Sequence, residues 1–197
     1  MPVPPGPAQA WPYEPGCDQT GGGAGGAEVM RTIAEDISGP DDSAPLEMLA
    51  ELFAARGWAC EFASDDELTG EVQGSWTLYQ LRAIWRSEDN VLQVLCLPDI
   101  RIADDKRQPI NEVVALVNEQ VWLGHFEVWS SGQVLLYRHG LLLNGDGLLS
   151  IEQAQVLIET AVEECDRFYP AFQFILWGDK SPTEALAAAL VDAAGEA

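Results

Sequence analysis

Residues 76–98 read WTLYQLRAIWRSEDNVLQVLCLP, and the way this stretch folds back on itself decides the fold class. Apolar, aromatic and β-branched residues recur with a period of two on both sides of the polar segment SEDN (87–90), which predicts an antiparallel hairpin. Pairing across SEDN sets Trp85 opposite Leu92, Ala83 opposite Val94 and Leu81 opposite Cys96. The reverse face carries Leu78, Gln80, Arg82 and Ile84 against Val91, Gln93, Leu95 and Leu97. Neither face is plainly polar, whereas an antiparallel sheet with one side in water is hydrophilic on that side. The reverse face is therefore expected to be covered part of the time, or by something outside this chain.

Towards the N-terminus, DDSAPLEMLAELFAARG (41–57) reads as a helix: Asp and Ser precede a Pro near the first turn, and Gly57 supplies the stop. Leu46, Leu49, Leu52 and Phe53 fall on one stripe. ACEFAS (59–64) alternates weakly around Cys60 and Phe62. Residues 1–42 contain MPVPPGP, GGGAGG and SGPDD, compositions that bury too little apolar surface to offset chain entropy. They are expected to form a flexible tail ahead of a folded unit over 43–180, with 181–197 as a terminal Ala/Leu-rich helix.

Towards the C-terminus, the loop DIRIADDKRQ leads into PINEVVALVNEQVWLG (109–124), where Pro109 suits a first helical turn. Ile110, Val113, Val114, Val117 and Val121 make one stripe, and Leu116, Trp122 and Leu123 widen the apolar arc. A helix apolar over most of its girth is buried on more than one side, so its second side is expected against a partner subunit. Gly124 ends this helix and HFEVW (125–129) begins a strand. The loop SSG then returns the chain as QVLLYRHGLLL, placing Trp129 opposite Gln133, Glu127 opposite Leu135 and His125 opposite Tyr137. Phe126, Val128, Val134 and Leu136 become the core face. In LLSIEQAQVLIETAVEECDRFYP (148–170), Ser150 and Gln153 form a capping box, and Ala154, Leu157, Ile158, Ala161, Cys165 and Phe168 make a buried stripe. Pro170 is expected to break or kink this helix, and SPTE (181–184) repeats the capping signature.

Acidic residues outnumber basic ones 32 to 10, for a formal charge of −22 and a pI near 4.1. That balance argues against nucleic acid, whose phosphates need a basic footprint, and against an anionic membrane surface. No stretch approaches the ~20 apolar residues of a membrane span, and the start of the chain lacks a signal-peptide pattern. Cys17, Cys60, Cys96 and Cys165 are widely spaced, as reduced thiols in a cytoplasm would be.

The chemical motifs are weak. LLNGDGLLSIEQ (142–153) resembles a calcium loop at Asn144, Asp146 and Gly147, but Leu142 and Gln153 occupy its first and last ligand positions. Asp99, Asp104 and Asp105 sit among Arg101, Lys106 and Arg107, as in a solvated loop. GGGAGG lacks the Lys and hydroxyl ending of a phosphate loop. The two histidines, His125 and His139, are placed on one face with no thiolate or carboxylate to complete a zinc site. Phe168, Tyr169, Phe172, Phe174 and Trp177 form an aromatic cluster for core or subunit contact. No cofactor or metal is expected.

The motifs LPDIRIADDKRQPINEVVALVNEQVWLGHFEVW (97–129) and ETAVEECDRFYPAFQ (159–173), in the order helix, strands, helix, hairpin, long helix, resemble the YbjN family of bacterial proteins. The resemblance covers about residues 44 to 180. It implies an α+β fold, an antiparallel sheet flanked by helices, like that of type III secretion chaperones. It also implies a sensory-transduction label and brings no catalytic residues. The expectation is a non-enzymatic, dimeric, cytoplasmic protein-binding module that contacts partners through Leu78, Arg82, Ile84, Leu95, Leu116, Trp122 and Trp129. A small-ligand binder or enzyme with a pocket of Trp122, Trp129, Tyr137 and His125 is the alternative, and a purely structural homo-oligomer a third.

Overall fold

A computed structural model of the chain describes residues 44–129, 133–145, 147–178 and 180–195, with side chains as far as Val191. The expected tail 1–42, with Cys17, lies outside the described residues, as does Asp146 of the calcium-like loop.

Helix α1 (Pro45–Arg56) starts on its proline and ends at Gly57, whose φ of 70° lets its amide and that of Trp58 return to the carbonyls of Ala54 and Phe53. Leu46, Leu49, Leu52 and Phe53 are all buried, as the stripe predicts. Strands β1 (Cys60–Ser64), β2 (Glu67–Gln73), β3 (Leu78–Arg86) and β4 (Val91–Leu97) follow as a meander. The β3–β4 register is the expected one: Trp85 faces Leu92, Ala83 faces Val94 and Leu81 faces Cys96. Strand β2 carries little β-forming sequence. Its inward positions are Leu68, Gly70 and Val72, and at Gly70 the Phe53 ring packs straight onto the backbone, where a Cβ would clash.

After a 3-10 turn come helix α2 (Arg107–Asn118), strands β5 (His125–Trp129) and β6 (Val134–Leu142), and helices α3 (Ile151–Leu176) and α4 (Pro182–Gly195). The six strands are antiparallel in the order β1-β2-β3-β4-β6-β5. One face of the sheet, including Val72, Tyr79, Leu81, Val94, Cys96 and Tyr137, shares a single core with the buried sides of the four described helices. This is the α+β class that the sequence indicates.

Several expectations need correction. Helix α2 stops at Asn118, so Val121, Trp122 and Leu123 belong to the turn that follows. The wide apolar arc disappears: Ile110, Val113 and Val117 face the core, and α4 of the same chain packs against α2 as well as α3, with Ala185 and Ala189 buried. No second subunit is needed to cover that helix. Helix α3 also runs unbroken through Pro170.

The β5–β6 register lies one residue from the expected one: His125 pairs with Arg138, Phe126 with Tyr137 and Trp129 with Val134. Gln133 adopts a left-handed φ of 50° and bonds through its carbonyl to the amide of Ile102. It therefore belongs to the turn and lengthens the loop by one residue. A single-residue slip exchanges the faces. The core side is thus Phe126, Leu135 and Tyr137, while Leu136 turns to the reverse face and Val134 is half-buried. His139 pairs with Val94 on the core side and His125 lies on the other, so the histidines do not share a face. Both capping boxes form, at Ser150–Gln153 and Ser181–Glu184.

Candidate functional site

Because every described helix packs on one side, the other side of the sheet carries no helix among the described residues. Its cross-strand rows follow from the registers. One row runs Glu61, Thr69, Arg82, Leu95, Arg138, His125 across all six strands. A second brings together Glu71 and Gln80, and a third Glu67, Ile84, Gln93 and Gly140. Leu78 is 43% exposed at one end of this outer face and Leu142 is 73% exposed at the other.

Leu95 and Leu136 are fully buried although they point away from the main core. Leu95 sits between Arg82 and Arg138 in its row, and Leu136 sits opposite Glu127. Arginine stems are apolar enough to cover such residues while their guanidinium groups stay wet. The heads are tied down: Arg82 donates from Nε to Glu67 at 2.8 Å, and Arg138 Nη2 lies 2.5 Å from Glu127 Oε1. That same carboxylate oxygen accepts from Trp129 Nε1 at 2.7 Å, and the Arg138 guanidinium lies 5.8 Å from the centre of a Trp129 ring. His125 Nε2 is 3.9 Å from the other Glu127 oxygen. Glu127 is thus the hub that ties one cation and one indole together beside the buried Leu95 and Leu136.

Five of the expected contact residues, Leu78, Arg82, Ile84, Leu95 and Trp129, share this outer face. Leu95 itself is fully buried between Arg82 and Arg138 in its row, and Arg82 is no lone charge, since Glu67 pairs with it. Leu116 is half-buried on α2 and Trp122 is 96% exposed in the turn beyond it, both off the face. The alternative pocket does not assemble. Tyr137 points into the core and donates to the Leu123 carbonyl at 2.5 Å, His125 and Trp129 lie on the opposite side of the sheet, and Trp122 stands in solvent.

Sequence reading misses the groove beside β1, because β2 is not legible as a strand. This depression of about 360 Å³ is lined by Cys60, Glu61, Thr69, Glu71, Gln80 and Arg82 among others. Among the described residues, no polar or charged side chain other than tyrosine and cysteine is buried, and no three His, Cys, Asp or Glu residues converge as metal ligands. No described helix is long and apolar enough to cross a membrane. Cys60, Cys96 and Cys165 are free thiols, and burial pushes the Cys165 thiol well up, helped by a hydrogen bond with Cys96.

The chain is thus an α+β protein with its described helices on one side of the sheet and a charged, partly apolar face on the other. The family model for YbjN, "Putative bacterial sensory transduction regulator", matches residues 45–174, and the chain belongs to this family. That description names a regulator and no reaction. No curated protein and no solved structure matches the chain.

Proposed function

We propose that this protein is a non-enzymatic, dimeric protein-binding module of the bacterial cytoplasm, regulatory or chaperone-like in the manner of type III secretion chaperones. The observation that carries the reading is the outer face of the sheet. Leu78, Ile84, Leu97 and Trp129 remain partly accessible there, between ion pairs that cover further leucines beneath them. A face meant only for water is polar along its length. A face that alternates covered leucines with tethered arginines suits a surface that opens to a partner, since the arginine heads can change partners while their stems keep the leucines dry. The site is expected to comprise Leu78, Arg82, Ile84 and Trp129, with Leu95 uncovered on binding and Leu116 and Trp122 extending the contact. The partner is a protein or peptide, with a second copy of this chain on the same surface.

Sedimentation at micromolar concentration, beside affinity capture from native cytoplasm with the wild type and Arg82→Glu, tests it. A dimer and a partner captured by the wild type and lost in Arg82→Glu support the reading. A monomer with no partner recovered overturns it.

A further inference from the structure

The two edges of the sheet are treated differently. At β5 the outward amide and carbonyl of Phe126 are both engaged by the Asn118 side chain, at 2.8 Å and 3.0 Å, so that one carboxamide stands in for a neighbouring strand. At β1 no such cover exists among the described residues. All five residues of Cys60–Ser64 are exposed, and among the described strands β2 alone pairs with them. Ala59 accepts from the Glu71 amide, which sets the alternation: the backbone groups of Glu61 turn inward and those of Cys60 and Phe62 turn outward. Phe62 is 54% exposed. An open edge of this kind is a template for another strand.

Charge selects the occupant. Between Gly57 and Gln73 the chain carries Glu61, Asp65, Asp66, Glu67 and Glu71 and no Lys or Arg. Arg82, which lines the groove with Glu61 and Glu71, is already held by Glu67. A second copy pairing through β1 would set these carboxylates against their own kind, and directly opposed like charges destabilise a sheet. A strand with basic residues at alternate positions would lay them beside Glu61 and over the groove. Its intervening apolar residues would fall beside Cys60 and Phe62.

We propose that β1 is the docking edge for an extended basic segment of a partner protein, added as a seventh, outermost strand. This rests on the protein-binding reading above and gives it a partner chemistry and a backbone edge, from which the segment's basic side chains reach the Glu61–Arg82 end of the outer face.

The test titrates the full chain with a short peptide of alternating Lys and Val, with a Glu–Val peptide as control, reading affinity by fluorescence anisotropy and amide exchange at Cys60–Ser64. The Lys–Val peptide is expected to bind about tenfold or more tightly than the Glu–Val peptide, to weaken with salt, and to protect the β1 amides. Phe62→Pro removes an outward N–H that no strand of the fold uses, so it should abolish binding and leave the melting transition cooperative. Glu61→Lys with Glu71→Lys, both at the surface, should reverse the peptide preference and serves if Phe62→Pro does not fold. Equal binding of both peptides, absence of binding, or protection elsewhere than β1 overturns the proposal. Capture of the native partner that survives Phe62→Pro but not Arg82→Glu overturns this proposal alone and leaves the protein-binding reading standing.

Discussion

The indole N–H of Trp76 takes the place of the amide that Pro170 lacks. In an uninterrupted helix the amide of residue 170 would bond the Asp166 carbonyl, and here Trp76 Nε1 donates to that oxygen at 3.0 Å from the β2–β3 turn. The Trp76 ring also stacks on Tyr169, with centroids 6.2 Å apart. This explains why α3 continues through its proline. Trp76→Phe should keep the stacking, lose the hydrogen bond and cost about 1–2 kcal/mol in denaturant unfolding. Pro170→Ala restores a backbone donor, so the two changes should be non-additive in a double-mutant cycle. Additive effects would show that the indole does not serve the proline gap.

The Asp166 side chain pins the same turn. It accepts from the Ser75 amide at 2.9 and 3.0 Å, from Ser75 Oγ at 2.9 Å and from the Tyr79 hydroxyl at 2.6 Å. Burial first, and then the Asp166 carboxylate, hold the Tyr79 phenol far above its ordinary range. Asp166→Ala strands these donors together and should cost about 2–4 kcal/mol, with Asp166→Asn costing roughly half as much. A change below the error of urea titration in both variants would remove Asp166 from this role.

Asn118→Ala should uncover the β5 edge. The Phe126 amide and carbonyl lose both partners at once, at a cost of about 1–2 kcal/mol. Light scattering should then detect concentration-dependent association absent from the wild type. Loss of stability without association would show that opening this edge does not by itself drive strand pairing.

Removing Glu127 should release the outer face. Glu127→Gln keeps an acceptor for Trp129 but cancels the charge facing Arg138, at a cost of about 1 kcal/mol that shrinks with salt. If Arg138 is a cover for Leu95 and Leu136, the variant should bind more of a hydrophobic dye than the wild type. Unchanged dye binding would indicate that the arginine stems stay in place without their anchor.

Two groups should shape stability against pH in opposite directions. Burial lowers the His139 pKa from 6.5, so the unfolded chain takes up its proton first as pH falls below that value and stability declines through this window. Burial raises the Glu164 carboxyl from 4.5 despite Arg167 nearby, so stability declines as pH rises from there through the folded value. Glu164→Gln should therefore raise the melting temperature at pH 7 and lose that advantage near pH 4, while His139→Leu should flatten the profile between pH 7 and 5. Thermal melts across pH check both, and parallel profiles for variant and wild type would refute the assignments.

Much of this protein is legible locally. The α1 stripe, the β3–β4 register and both capping boxes depend on residues a few positions apart, where period and capping chemistry act directly. The α3 stripe is legible for the same reason. What the sequence could not supply involves long separations or a single backbone torsion. The left-handed Gln133 moves the β5–β6 register by one residue and exchanges the faces of Leu136 and Tyr137. Trp76 rescues Pro170 from 94 positions away, so no local rule could forecast an unbroken helix. β2 owes its place to Phe53 packing on Gly70 rather than to its own propensity. The amphipathic outer face was visible in the alternation of 76–98. The covering of its leucines by Arg82 and Arg138, each held by a glutamate on a neighbouring strand, exists only once six strands lie side by side, because cross-strand rows are set by tertiary register and not by sequence spacing.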